Sequence, residues 1–299
     1  MTLPRPSTPR ERAHLLRYTR PERWPLFERF AVGQPVREQV LAELLAAPPE
    51  EVRRLNELLR EDVVKRAAEL LQDEDFRTAI DAPPFVGGNR IVALGDSLTA
   101  DRLGWFEIIA ETLRQRGGPV PVLANLGVSG NTTADAIERF DLIEAARPTH
   151  VLVMLGTNDV RAHGRRRPHR MVRPDETRRN LRVLHELISE DLGVPVTFIT
   201  PPGGDRVRIE RFFAGAPLRW SATDLDGLAE LVRDVDANRI DLRAELSRPG
   251  LDDPFEDDGV HLSPLGQQRV AAAVVAQLSR AMTGHAGADD TVGREPDGV

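Results

Sequence analysis

The stretch Arg90-Ile91-Val92-Ala93-Leu94-Gly95-Asp96-Ser97-Leu98-Thr99 decides how this chain is read. Four consecutive apolar side chains, Ile91 to Leu94, have the pattern of a short strand buried on both faces of a parallel sheet. Gly95 and Asp96 then break the run. The chain enters a helical turn around Ser97, where the first backbone N–H groups have no intrahelical acceptor. Apolar runs recur over residues 120–125, 150–155 and 194–200, with helical stretches over 103–116, 133–146 and 176–192 between them. This alternation predicts a doubly wound α/β domain. Ligands bind such sheets at the carboxyl ends of the strands. Gly95-Asp96-Ser97, Gly127-Val128-Ser129-Gly130-Asn131 and Gly156-Thr157-Asn158-Asp159 each follow an apolar run directly, so topology alone brings them to one sheet edge.

A fourth block, Asp258-Gly259-Val260-His261, lies C-terminal to the other three. In this order and spacing the four blocks resemble the SGNH (GDSL) family of serine hydrolases, and the resemblance covers about residues 90–282. It implies a three-layer α/β/α, flavodoxin-like domain with a five-stranded parallel sheet. Four of those strands are visible in the sequence; the fifth is inferred from the family. It also implies a serine esterase working through an acyl-enzyme on Ser97, without metal or organic cofactor, on a small-molecule ester. In that reading His261 is the base and Asp258 its orienting partner. The backbone N–H groups of Ser97 and Gly130 and the side-chain amide of Asn158 form the oxyanion hole. An acyltransferase or a carbohydrate O-deacetylase would use the same site, and a non-catalytic scaffold protein is the reading from a different class.

The chemistry explains the residue types. A serine hydroxyl is inert near neutral pH unless a base removes its proton. A carboxylate on the far ring nitrogen fixes the imidazole tautomer and stabilises the imidazolium that forms. The spacing of three between Asp258 and His261 would place both on one side of a helical turn. Each residue also has a plainer reading. Ser97 could cap the helix starting near Thr99, Gly130 could serve a turn of positive φ, and Asn158 could form an Asx-turn. Ser129 does not sit in a Gly-x-Ser-x-Gly elbow, because Asn131 occupies the last glycine position. Asp252, Asp253 and Asp257 crowd the last block, but only Asp258 has the matching offset from His261.

Around this core the sequence is less specific. Residues 1–85 form an Arg-, Glu- and Leu-rich extension without a convincing strand. Val52, Leu55, Leu59, Val63, Ala67 and Leu70 make the stripe of an amphipathic helix over 50–71, and a shorter helix is expected over 36–46. Such a stripe must be buried against something. The hydrolase domain (86–283) is the simplest choice; a lid or homo-oligomerisation through these helices are the others. Ser263-Pro264 predicts the start of a final helix running to about Met282, and the Gly- and Asp-rich tail 284–299 reads as disordered. The loop from Arg161 to Arg173 carries Arg161, Arg165, Arg166, Arg167, Arg170 and Arg173. Arg161 and Arg165 are candidates to hold an anionic group on the substrate; a solvated loop paired with acidic surface is the plainer alternative. Phe212 and Trp220 are candidates to wall the acyl or alcohol pocket.

Composition sets outer bounds. The 299 residues are 40% apolar and 29% charged, ample for a folded core. A net charge of −7 offers no electrostatic case for nucleic acid. The absence of cysteine excludes disulfides and a thiolate nucleophile. No stretch approaches the roughly 18 apolar residues of a membrane span, and the polar N-terminal sequence leads us to expect a cytoplasmic protein.

Overall fold

In the computed structural model, which describes residues 6–30, 32–235, 239–246 and 253–289, β1 (Arg90–Gly95) pairs in parallel with β2 (Val122–Gly127) on one side and β3 (His150–Met154) on the other. β6 (Val196–Ile199) follows β3, and β8 (Arg239–Ile240) completes a parallel sheet of order β2-β1-β3-β6-β8. Numbered within the sheet this is 2-1-3-4-5, the flavodoxin-like order, whose switch point lies between the first and third strands. The three-layer α/β expectation is met. The fifth strand is only two residues long, too short for any periodicity to reveal it.

The helices follow in chain order. α1 (Pro9–Tyr18), α2 (Pro25–Arg29), α3 (Gln34–Leu45), α4 (Pro49–Leu70) and α5 (Glu74–Ile80) precede the sheet. α6 (Ser97–Ala100) and α7 (Trp105–Arg116) join β1 to β2, while α8 (Thr133–Glu138) and α9 (Phe140–Ala145) join β2 to β3. α10 (Pro174–Glu186), α11 (Arg206–Phe212), α12 (Ala222–Arg233), α13 (Leu242–Leu246) and α14 (Pro264–Asp289) complete the set. Ile91 and Ala93 pack with Val63, Phe76, Trp105, Ile109 and Val274 on one face of the sheet. Val92 and Leu94 pack with Ala136, Ile143, Leu181 and Leu228 on the other. Both faces are buried, which is why the strand sequences are apolar throughout rather than alternating.

Some expectations are modified in detail. The helix expected over 133–146 is broken at Arg139, whose buried guanidinium donates to Leu126 O at 3.0 Å. The one expected over 176–192 ends in a π turn, Leu187–Asp191. α14 begins at Pro264 as expected but runs on to Asp289; the rest of the tail, 290–299, lies outside the described residues. The arginine-rich loop is a hairpin of β4 (Ala162–His163) and β5 (His169–Arg170), joined by β7 (Leu218–Arg219) into a small antiparallel sheet. The stripe of α4 is covered within the chain: Val52 and Leu55 join Leu16, Leu41 and Leu45, and Val63 joins the main core. Among the described residues no helix is long and apolar enough to cross a membrane.

Candidate active site

β1 delivers Ser97 to the sheet edge. Asp96 caps α6, its Oδ1 accepting the N–H of Leu98 at 3.0 Å, so the capping role considered for Ser97 falls to its neighbour. As the first residue of α6, Ser97 has no intrahelical acceptor for its own N–H. Tight packing against β2 holds this short helix. A Cβ at Gly127 would stand 2.6 Å from Ala100 N, a contact that excludes any side chain there. Asn125 donates to Thr99 O at 2.8 Å, and Gln267 on α14 accepts from Trp105 N at 2.9 Å and reaches Asp101 at 3.2 Å. Burial pushes the Asp96 carboxyl up to about 6, against the Leu98 N–H and the nearby His261, which favour its charged form.

The fourth block arrives from the far end of the chain. Phe255 and Leu262 form an antiparallel bridge that closes a turn carrying Asp258 and His261. The segment is therefore a turn and not the helical turn expected from the spacing. The Asp258 carboxylate organises it. Oδ1 accepts the N–H groups of Val260 at 2.8 Å and His261 at 2.9 Å, and Oδ2 meets His261 Nδ1 at 2.6 Å. His261 Nε2 lies 2.9 Å from Ser97 Oγ. Burial alone would raise Asp258, but its bonds to His261 and to the two backbone N–H groups outweigh it and hold the carboxyl down at about 2. Burial likewise opposes a charge on His261, yet Asp258, with Asp101 and Asp96 farther off, draws its pKa above the ordinary value. By contrast His150, buried at the opposite end of the sheet beside Thr197, is pushed down to about 4 by burial alone.

The other two blocks flank Ser97. Gly130 has φ +86°, a conformation that favours glycine, and nothing lies within 4 Å of where a Cβ would stand. Asn158 follows β3 and donates one amide hydrogen to Asn131 O at 3.1 Å, leaving its second for another acceptor. Asp159 stitches the two loops together. It accepts from Thr133 N at 2.9 Å, Thr133 Oγ1 at 2.5 Å and Thr177 Oγ1 at 3.0 Å. The structure thus brings Ser97, His261 and Asp258 into one hydrogen-bonded chain, with the Gly130 and Asn158 loops cross-braced beside it. The sequence alone gives Asp159 no part.

It also gives none to Arg17 and Tyr18 of α1. Tyr18, the sole tyrosine of the chain, lays its ring 4.6 Å from that of His261, and its carbonyl accepts Ser129 Oγ at 2.5 Å. Arg17 forms a two-pronged bond to Asp101, at 3.1 and 2.6 Å. It also donates to Leu262 O at 3.1 Å and to Glu256. No local pattern marks these residues, since their partners in the site lie 84 or more positions away.

Of the four candidate substrate contacts, two lie beside the site. Trp220 donates its indole N–H to Thr157 O at 2.7 Å, next to Asn158. The Arg161 guanidinium lies over the Trp220 ring at 5.8 Å, and its buried Nε meets no acceptor among the described residues. Arg165 donates to Gly215 O at the protein surface. Phe212 lines a cavity of about 770 Å³ with His14, Leu15, Arg17, Glu256 and Asp258; Ser97 is not part of its wall. Arg170 pairs with Asp224 and Arg173 with Asp175, so two of the loop's six arginines are matched by acids. Among the described residues no cluster of three His, Asp or Glu side chains is placed to hold a metal ion.

A serine hydroxyl on an imidazole, itself held by a carboxylate, beside free N–H donors is an arrangement suited to acyl transfer. A model of the GDSL-like Lipase/Acylhydrolase family matches residues 93–269. Among solved structures, the chain is similar to a lipase/acylhydrolase from Enterococcus faecalis at 28% identity. That match covers 66% of this chain and 96% of that one, with a TM-score of 0.50. It is also similar to an acetyl xylan esterase from Geobacillus stearothermophilus at 21% identity, covering 65% and 96% of the two chains, with a TM-score of 0.49. No curated protein matches the chain.

Proposed function

Because the chain belongs to the GDSL-like lipase/acylhydrolase family and is therefore an ester-hydrolysing enzyme, we propose that it cleaves its substrate through an acyl-enzyme on Ser97. The observation that carries this reading is the hydrogen-bonded chain Ser97–His261–Asp258, with links of 2.9 and 2.6 Å. Ser97 Oγ attacks the ester carbonyl as His261 Nε2 takes its proton. Asp258 holds the imidazolium, which then gives that proton to the departing alcohol oxygen. A water activated by the neutral His261 cleaves the acyl-enzyme and restores Ser97. Charge on the carbonyl oxygen is met by the N–H groups of Ser97 and Gly130 and the free amide hydrogen of Asn158. Preoriented donors of this kind are each worth about 10²–10³ in rate.

The substrate side of the reading is coarser. A small-molecule carboxylic ester is the proposed substrate class, with Arg161 and Trp220 as its contacts beyond the reacting carbonyl. The buried, unmatched Nε of Arg161 supports an anionic or strongly accepting group there. Arg165 is already engaged with Gly215, and Phe212 lines the adjoining cavity.

Hydrolysis of p-nitrophenyl esters from acetate to palmitate, by the wild type and by Ser97→Ala, tests the proposal. Turnover that disappears in Ser97→Ala upholds it, and the chain-length optimum measures the acyl pocket. Turnover that survives the substitution refutes the nucleophile.

A further inference from the structure

α1 lies outside the segment that matches the family, yet two of its residues meet the site directly. Arg17 joins both halves of the proposed machinery. Its two-pronged bond to Asp101 grips the residue that ends α6, and its bonds to Leu262 O and Glu256 grip the turn that carries Asp258 and His261. Arg17 and Asp101 are both buried, with side-chain exposures of 8% and 0%. Around them Arg102 donates to Leu16 O at 3.0 Å and Thr19 O at 3.1 Å, and Arg20 donates to Ala100 O at 2.5 Å. This end of α1 is thus bonded to the active-site layer on several sides.

Tyr18 uses that anchorage. Its ring lies 4.6 Å from the His261 ring at 42°, with His14 at its edge at 5.3 Å. The phenol oxygen is buried and has no hydrogen-bond partner among the described residues, so the ring makes the contact and the hydroxyl does not. A π face attracts a cation placed over it. The Arg17 guanidinium already lies over this ring at 5.1 Å, and in ester cleavage His261 becomes a second cation against it at the moment the barrier is crossed.

We propose that Arg17 and Tyr18 are positioning residues: Arg17 sets the distance between the Ser97 helix and the His261 turn, and the Tyr18 ring holds and stabilises the His261 imidazolium. The inference rests on the Ser97–His261–Asp258 reading and makes the N-terminal extension part of the reacting site. The charged and titratable groups acting on His261 are Asp258 on its own loop, Asp96 and Asp101 at the two ends of α6, and His14 on α1, with the Arg17–Glu256 pair bridging α1 and that loop. All of them remain when Tyr18 is replaced.

The test compares wild type, Tyr18→Leu, Tyr18→Phe and Ser97→Ala as full chains, on the best p-nitrophenyl ester, across pH, with melting curves for each. Leucine keeps the site dry but removes the π face. Tyr18→Leu is expected to lower kcat about 3- to 30-fold with little change in KM. Its acid limb should move down by roughly half a pH unit or more, because the imidazolium loses a stabilising contact. Tyr18→Phe, which keeps the ring, should restore most of kcat and the wild-type limb. An unchanged kcat and limb in Tyr18→Leu, with Ser97→Ala inactive, overturns the proposal alone. A Tyr18→Phe enzyme as impaired as Tyr18→Leu also overturns it, by assigning the effect to the hydroxyl. Turnover in Ser97→Ala overturns the underlying reading and this proposal together.

Discussion

Asp258 holds His261 at two points, the backbone N–H through Oδ1 at 2.9 Å and the ring Nδ1 through Oδ2 at 2.6 Å. The first bond fixes the turn and the second fixes the tautomer, leaving Nε2 to accept from Ser97. One carboxylate thus sets both where the ring sits and which nitrogen is free.

The pH dependence follows from this pair. His261 must be neutral to accept the Ser97 proton, so kcat/KM rises as pH passes its pKa, above the ordinary histidine value of about 6.5. Asp258, held at about 2, stays ionised throughout that range. In Asp258→Asn the main group that offsets burial is lost, and the acid limb moves to lower pH. The maximal rate falls by on the order of 10³–10⁴, because the tautomer is no longer held. A pH–rate profile of both enzymes on one ester checks the sign and the size.

Asn158→Ala tests the proposed oxyanion hole. The variant loses an amide donor near the reacting carbonyl and the bond to Asn131 O at 3.1 Å. A drop of about 10²–10³ in kcat is expected, with a smaller change in KM, because the donor acts mainly on the charge that develops in the transition state. Single-turnover acylation kinetics would show it. A KM effect alone would instead assign Asn158 to ground-state binding.

Asp101→Ala tests the anchorage of α1. It leaves the buried Arg17 guanidinium without its two-pronged partner, and breaking a buried ion pair from one side costs about 3–5 kcal/mol. Guanidinium-chloride unfolding should show a lower midpoint, and an unfolding free energy reduced by about that much. Arg17→Lys keeps the charge but loses the planar fork, and should fall between this variant and the wild type.

Much of the fold was legible because its signals are local. Ile91 to Leu94 reads as a buried strand from four adjacent side chains, and the turn residues after it mark the sheet edge. The short strands Ala162–His163, Leu218–Arg219 and Arg239–Ile240 were not legible, because two residues carry no period and their pairing is decided by distant segments. The broken helix at Arg139 was missed for a related reason: the break is tied to a buried bond to Leu126 O that only the packed structure forms.

The sequence by itself determined the alternation of strand and helix, the edge on which three of the four blocks gather, and the candidate residues Ser97, Gly130, Asn158, Asp258 and His261. Residue type and order carry that much, since strand direction in a doubly wound sheet dictates where the loops after each strand must lie. Only the tertiary structure decided that His261 Nε2 comes within 2.9 Å of Ser97 Oγ, that Asp96 rather than Ser97 caps α6, and that Tyr18 and Arg17 reach the site from the start of the chain. The Asp96 cap aside, those contacts join residues 84 to 245 positions apart, and such pairings are set by how the layers pack and by which buried charges must find partners.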